Sequence, residues 1–247
     1  MTDLETFSTA TTAHLARVIE VNARALADVA ALVIDVAGRK GLLYTAGAGH
    51  SLSGVIETFF RAGGFAFVRP LWHPDLLPLR GAERSTAAER TPGLGREVVA
   101  ASSLEARDAV VVFSNSGVNP YPIEVAQGAR GGGARVVAIT SRKASDAAPL
   151  RAGARLHEIA DLVLDTMVPP GDATWPAAAP VTAPLSTLTN AMLWNAVLVL
   201  AHEADPDLPV WRSANVSDSG DGNDRIAEAF APRVPEIRMG QIAVESS

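Results

Sequence analysis

Two short polar turns in this chain combine residue types that bind anions. The first is Gly47-Ala48-Gly49-His50-Ser51 and the second is Ser114-Asn115-Ser116-Gly117. Backbone N–H groups near a helix start are unpaired and carry partial positive charge, and short hydroxyl and amide side chains add further donors. The composition of both turns therefore predicts a site for a phosphate group rather than for a bulky base.

Each turn follows an apolar segment and precedes a segment of helical pattern. Residues 41–46 and 109–113 are predicted to be buried parallel strands, with helices over 52–62 and 120–130 directly after the turns. Ligands of open α/β sheets bind at the carboxyl ends of the strands, so we expect the two turns to lie at that edge.

The rest of the chain continues this alternation and predicts an α/β fold with a doubly wound parallel sheet. Residues 70–92 and 169–184 interrupt the alternation and are interpreted as long loops, either lids or plain connections. The remaining predicted elements are a helix over 10–37 capped by Ser8, Thr9, Thr11 or Thr12 and ended by Gly38, a helix near 93–103, strands over 65–68, 135–140 and 161–166, an apolar helix over 185–204, and a short helix over 225–230.

Taken together, the two turns resemble the SIS (sugar isomerase) domain family, in which a Gly-x-Gly-x-Ser turn pairs with a later Ser-x-Ser-Gly loop that holds a sugar phosphate. The resemblance covers residues 10–205 and includes the segments 61–64, 136–141 and 185–190. It implies a flavodoxin-like sheet and a homodimer or higher homo-oligomer with shared active sites. The substrate-binding residues that it implies are Gly47, Gly49, Ser51, Ser114, Asn115, Ser116, Asn119 and Ser141.

The resemblance also divides the chain. We expect an N-terminal helix at 1–38, a single phosphosugar-binding domain at 39–205 and a partly flexible tail at 206–247. The 247 residues, 48% of them hydrophobic, are enough for one large core.

Composition excludes several classes of function. A net charge of −6 argues against a nucleic-acid partner, because phosphate-backbone binding needs a basic surface. There is no cysteine to form a disulfide or a thiolate, and no pair of histidines has the spacing of metal ligands, so neither a metal nor another cofactor is predicted. The acidic N-terminus lacks a signal-peptide pattern and no apolar run reaches the ~20 residues of a membrane span, so we expect a cytoplasmic location.

A bound phosphate positions a sugar without reacting, so catalysis needs a base near the carbon beside the carbonyl. Glu57 lies about two turns into the helix predicted over 52–62, where it is either next to apolar residues or faces solvent. Glu89 and Glu97 flank a turn that is similar to the active-glutamate segment of N-acetylmuramic acid 6-phosphate etherases. We prefer Glu89, predicted to lie in a loop, whereas an acid at Glu97 suits a helix start. His50 either contacts the sugar or caps the next helix.

These residues lead to one preferred function and three alternatives. The preferred function is an enzyme that removes the C2 proton of an N-acetylhexosamine 6-phosphate with Glu57 or Glu89 and then eliminates the C3 substituent, as a lyase of the etherase kind. The first two alternatives are an aldose–ketose phosphosugar isomerase and a sugar-phosphate sensor without catalysis. The third, a dinucleotide-binding domain, has little support because the third glycine of that motif is not found at its required position.

Overall fold

The computed structural model describes residues 2–213, 215 and 222–238. Its centre is a five-stranded, fully parallel sheet in the order β2-β1-β3-β4-β5, which confirms the predicted fold class. The strands of this sheet are β1 (Leu43–Gly47), β2 (Val68–Leu71), β3 (Ala109–Phe113), β4 (Arg135–Thr140) and β5 (Leu162–Asp165).

Helices cover both faces of the sheet. The helix α8 contacts α1 and α2 in one layer, while α5 contacts α3, α4 and α7 in the other. All residues of β1 and β3 are buried, as expected for central strands between two helical layers. The helices are α1 (Asp3–Gly38), α2 (Leu52–Thr58), α3 (Ala82–Arg90), α4 (Leu94–Ala101), α5 (Pro120–Gly131), α6 (Arg142–Ala147), α7 (Leu156–Ile159), α8 (Ser186–Ala204) and α9 (Gly222–Phe230).

The first helix is longer than predicted. It begins at Asp3 because Thr2 and Glu5 form a capping box, in which each side chain accepts a hydrogen bond from the other residue's backbone N–H. Further along α1, the buried Asn22 donates to the carbonyl of Asp165 and accepts from its N–H, both at 2.8 Å. This pair of bonds fixes α1 against the outer strand β5.

Both segments predicted as long loops contain regular structure. Residues 70–92 include the end of β2, 3₁₀ turns at Pro74–Leu76 and Pro78–Arg80, and the whole of α3. Residues 169–184 contain the antiparallel hairpin of β6 (Ala173–Trp175) and β7 (Thr182–Pro184). Helix α3 was not predicted because it is short and its serine, threonine and charged residues form no apolar stripe.

The strand predicted at 65–68 lies three residues later, at β2. Phe65 and Ala66 pair instead with a segment after α8: Phe65 bridges Val210, and the N–H of Ala66 donates to the carbonyl of Pro209 at 2.8 Å. Residues from the expected tail therefore complete the edge of the sheet, a long-range pairing that local pattern does not reveal.

Within the described residues, no helix has the length and hydropathy that crossing a bilayer requires.

Candidate functional site

The two polar turns lie side by side at the carboxyl edge of the sheet. Gly47, the last residue of β1, is in register with Phe113, the last residue of β3. From β1 the chain continues to β2 on one side, and from β3 it continues to β4 on the other side. The strand order therefore reverses between β1 and β3. Open α/β sheets bind their ligands at this crevice.

Glycine is required twice in the first turn. A Cβ on Gly47 would lie 2.6 Å from the carbonyl oxygen of Ser51, because the chain folds back tightly into a 3₁₀ turn at Gly49–Ser51. Gly49 itself has φ of 57°, a conformation that side chains disfavour. The turn exposes His50 to solvent and leaves the Ser51 side chain half-buried at the start of α2, without a capping bond.

The second turn is anchored to β4 and presents its middle residues outward. The buried Ser114 hydroxyl accepts from the N–H of Gly117 at 3.2 Å. The carbonyl of Asn115 accepts from the N–H of Ser141 at 3.1 Å, while its side-chain oxygen accepts from Thr166 at 3.4 Å. Those bonds use the oxygens of Asn115, so its amide N–H₂ and the half-buried Ser116 hydroxyl supply donors for a ligand.

The helix after this turn contributes fewer donors than we expected. Pro120 and Pro122 occupy its first and third positions, and neither has a backbone N–H. Tyr121 is the one residue between them that retains this group. An anion bound at the second turn would therefore contact the turn's own N–H groups and side chains more than the helix start.

The structure does not bring Ser141 to the turns' surface. Its side chain is fully buried, accepts from the N–H of Ala144 at 3.1 Å and donates to the carbonyl of Val168 at 2.6 Å. Ser141 thus caps α6, one strand away from the second turn, and its hydroxyl is already engaged. The remaining predicted ligands all lie in or beside the two turns, and their roles stay predictions.

The two favoured glutamates differ in their surroundings. Glu57 lies in α2 with 24% of its side chain exposed and forms an ion pair with Arg61, one helical turn later. Glu89 lies in the last turn of α3, not in the loop that we expected. It is half-buried on the same helix face as the buried Ser85, and no basic side chain of the described residues lies within 4 Å of its carboxylate.

Helix α3, which carries Glu89, lies next to the first turn. It packs against the 3₁₀ turn that contains His50 and against α5, the helix that follows the second turn. The hydroxyl of Ser85 fixes α3 by donating to the carbonyl of Leu76 at 2.8 Å. Glu97 lies in the first turn of α4, as predicted, and faces a cavity farther out.

Sequence reasoning missed Glu124, a buried carboxylate in α5. It accepts from the N–H groups of Gly93 and Gly95, at 2.9 and 3.1 Å, and pairs with Arg96. These bonds attach the start of α4, and with it the connection from α3, to the helix of the second turn. An acid inside an otherwise apolar helical face was the signal available.

Tyr121 makes a further connection across the site. Its buried hydroxyl donates to the carbonyl of Leu71, the last residue of β2, at 2.8 Å. Burial raises the pKa of Tyr121 far above its usual value, so the hydroxyl keeps its proton and remains a donor.

Two cavities lie along the free edge of β2 rather than between the turns. One, of about 290 Å³, is lined by Arg69, His73, Glu97 and others, and the second, of about 410 Å³, is mostly apolar. Residues of the second turn line neither cavity, so we assign the site from the turns' donors and strand geometry. In the described ranges no three or more His, Asp or Glu side chains group closely enough to hold a metal ion.

This fold and this pair of turns define a class of α/β protein with a ligand crevice between β1 and β3. The SIS domain family model matches residues 6–141. The chain therefore belongs to the SIS domain family, as the resemblance implied.

Particular relatives support this assignment. The chain is 33% identical to the UPF0309 protein of Geobacillus kaustophilus over 92% of this chain and 94% of that protein. It is 36% identical to a UPF0309 protein of Brucella canis, over 79% and 82% of the two chains. Its fold is shared with the phosphoheptose isomerase of Neisseria gonorrhoeae, at 15% identity, with a TM-score of 0.55 over 80% of this chain and 96% of that one.

Proposed function

We propose that this protein is an enzyme that binds a phosphorylated amino sugar of the N-acetylhexosamine 6-phosphate type over the two turns. The observation that carries the proposal is the register of Gly47 with Phe113, which starts both donor-rich turns at the same point of the sheet edge. A phosphate bound there fixes one end of the sugar, and the binding energy positions the reacting carbon.

The proposed base is Glu89. Proton abstraction requires a carboxylate that is free to accept a proton, and Glu89 has no cationic partner among the described residues, whereas Arg61 holds Glu57. The packing of α3 against the first turn supports a position beside the sugar. Glu57 is the second choice for the base, and His50, exposed on that turn, is proposed to assist ring opening or bind a hydroxyl.

The proposed reaction begins with the open-chain aldehyde. Glu89 takes the proton from C2, and the C2–H electron pair forms an enolate with the C1 carbonyl. In the preferred outcome the enolate electrons form a C2–C3 double bond, the C3–O bond breaks and the leaving oxygen takes up a proton, which makes the protein a lyase. No step needs an oxidant or a reductant.

Isomerisation is the alternative outcome for a sugar phosphate with a hydroxyl at C2, in which the enediolate left by proton abstraction takes a proton at C1, loses the proton of its C2 hydroxyl and yields a ketose. Both outcomes begin from the open-chain sugar, so ring opening by the exposed His50 is proposed for either of them. The relative from Neisseria gonorrhoeae is named a phosphoheptose isomerase. We do not propose that a lysine of the C-terminal tail opens the sugar ring, because the two lysines of the chain are Lys40 and Lys143.

Proton NMR in deuterated water tests the proposal. N-acetylglucosamine 6-phosphate and its 3-O-lactyl ether are incubated separately with the protein. We expect loss of the C2 proton signal, with a vinylic product from the ether if elimination follows. Glucose 6-phosphate, which carries a hydroxyl at C2, is incubated in the same way, and a ketose formed from it would show isomerisation. Line broadening without exchange would instead support the sensor function, and unchanged spectra for both N-acetyl sugars would contradict the proposed substrate class.

Substitution identifies the base. Glu89→Gln keeps the shape of the side chain but cannot take the proton, so we expect the C2 exchange rate to fall by at least about a hundredfold while the sugar phosphate still binds. Glu83→Gln, exposed on the same helix, is the matched control and should leave the rate unchanged. If Glu57→Gln abolishes exchange and Glu89→Gln does not, the two assignments are reversed.

We also propose that the protein forms a homodimer or a higher homo-oligomer with shared active sites. This proposal is supported by an apolar stripe along one side of α8, where Leu188, Met192 and Val199 are 48, 39 and 55% exposed. Contact between copies through this stripe would remove its apolar surface from water.

A further inference from the structure

A guanidinium group stands beside the second turn. Nη1 of Arg151 donates a hydrogen bond to Oδ1 of Asn119 at 3.0 Å. Asn119 is 7% exposed and immediately precedes α5, at the end of the loop that begins with Ser114. Arg151 is otherwise exposed, so its guanidinium is open to solvent beside the end of this loop.

The sequence after Asn119 explains why its oxygen is available. An asparagine before a helix normally accepts a bond from the second or third helical N–H. Here the third position is Pro122, which has no N–H, and Asn119 makes no capping bond. Its side-chain oxygen accepts from Arg151 instead.

The loop that carries Arg151 is tied at its far end. The N–H of Leu156 donates to the carbonyl of Gly117 at 2.8 Å, which joins the start of α7 to the second turn. The guanidinium of Arg155 donates to the carbonyls of Ser145, Asp146 and Ala148 at the end of α6. These contacts restrict the positions that Arg151 can take, and so lower the entropy cost of a contact to a ligand.

No acidic side chain in the described part of the chain neutralises the charge of Arg151. No carboxylate of the described residues lies within 4 Å of its guanidinium. One of its five N–H groups binds Asn119, which leaves several donors for a ligand. The turn itself offers neutral donors, and the two prolines of α5 remove two helix-start N–H groups, so Arg151 can supply the cation that a dianionic ligand favours.

We propose that Arg151 binds the phosphate group of the substrate and selects phosphorylated sugars over the same sugars without phosphate. This inference rests on the proposed function, because it takes the second turn as the phosphate site. Asn119 is then a positioning residue, which holds Arg151 and does not itself bind the ligand.

Calorimetric titration with three probes tests the assignment: N-acetylglucosamine 6-phosphate, inorganic phosphate and N-acetylglucosamine. We expect Arg151→Ala to weaken binding of the first two by about ten- to a hundredfold and to leave the third unchanged. Arg151→Lys, which keeps the charge but not the fork of donors, should lose less. Asn119→Ala, which frees the arginine, should also weaken phosphate binding.

Arg24→Ala is the control, because Arg24 is exposed on α1 and its removal changes the net charge equally. Equal melting temperatures would show that the variants fold. Affinities of Arg151→Ala within twofold of wild type overturn the role of Arg151 while the proposed function stands. If the wild-type protein binds inorganic phosphate but not the sugar phosphate, the proposed substrate is wrong, and Arg151 is still tested with inorganic phosphate. If it binds neither compound, both the proposed function and the role of Arg151 are contradicted.

Discussion

At the scale of single residues, Glu124 organises the segment that carries the proposed base. Its carboxylate is buried, and its partners are the N–H groups of Gly93 and Gly95 and the guanidinium of Arg96. Charge-assisted bonds of this kind stabilise a structure more than neutral ones, and their loss leaves buried donors without a partner. We therefore expect the position of the proposed base, Glu89, to depend on Glu124, which anchors the segment that follows α3.

Removal of the Glu124 carboxylate tests this dependence. We expect Glu124→Ala to lower the free energy of unfolding by about 2–4 kcal/mol and to slow C2 exchange, because the start of α4 loses its anchor. Glu124→Gln keeps one acceptor oxygen and should lose less. Urea denaturation and the NMR exchange rate are the measurements, and Glu203→Ala, exposed on α8, is the control. A Glu124→Ala loss below about 0.5 kcal/mol would contradict the anchoring role.

Tyr121 predicts a pH dependence of stability. Since burial raises its pKa in the folded protein above the unfolded value of about 10, its contribution is complete below pH 10 and is lost as the pH rises toward the folded value. The free energy of unfolding should fall in that window by up to about 1.4 kcal/mol per pH unit for this residue.

Tyr121→Phe isolates the effect. The variant loses the bond to Leu71, which should cost about 1 kcal/mol at neutral pH. Above pH 10 its free energy of unfolding should fall less steeply than that of the wild type. Burial also raises the pKa of Tyr44, but this residue is present in both proteins, so its contribution to the pH dependence cancels in the comparison. Identical slopes would show that Tyr121 ionises as freely as in the unfolded chain.

At the scale of elements, the site depends on the close packing of α2 against the end of β3. A Cβ on Gly54 would lie 2.6 Å from Cδ1 of Phe113, the residue that opens the second turn. The helix that follows the first turn therefore touches the strand that precedes the second. Any shift of α2 changes the distance between the two groups of donors.

Gly54→Ala should force such a shift. We expect a loss of about 1–3 kcal/mol in the free energy of unfolding and weaker binding of the sugar phosphate. Gly131→Ala is the matched control, because no atom lies within 4 Å of its added Cβ, and it should be neutral or slightly stabilising. If Gly54→Ala bound the ligand as tightly as the control, the two turns would not be coupled through α2.

At the scale of the whole molecule, segments far apart in sequence close the sheet. Arg233 donates to the carbonyl of Lys40 at 2.8 Å and to the buried carboxylate of Asp108 at 3.1 Å, and Glu236 pairs with Arg69 on β2. Residues 222–238, which belong to the expected tail, thus cover the sheet rather than extend from it. Their attachment also forms one wall of both cavities at the β2 edge.

The proposed association of copies is a prediction at this scale. Light scattering should give at least twice the chain mass of 25.7 kDa. Met192→Glu combined with Val199→Glu should yield single chains, because burial of two carboxylates in an apolar contact is unfavourable. Val181→Glu, on the hairpin and 81% exposed, is the control. A wild-type mass of one chain would contradict the homo-oligomer.

The amino-acid sequence alone determined the strand–turn–helix units and hence the fold class. Central strands such as 109–113 and the helix from Pro120 have strong local patterns, because burial on both faces demands continuous apolar residues. The glycines of the first turn were recognisable for a similar reason, since the tight backbone there tolerates no side chain at Gly47.

Only the tertiary structure decided which groups are free and which are engaged. Ser141 matches the ligand pattern, yet α6 and Val168 use its hydroxyl. Glu57 is paired with Arg61, whereas Glu89 has no cationic partner among the residues that the structure describes. The partnership of Arg151 with Asn119 and that of Glu124 with Gly93 join residues about thirty positions apart. Hydrogen bonds and charges are satisfied by neighbours in space, and local sequence patterns carry no record of those neighbours.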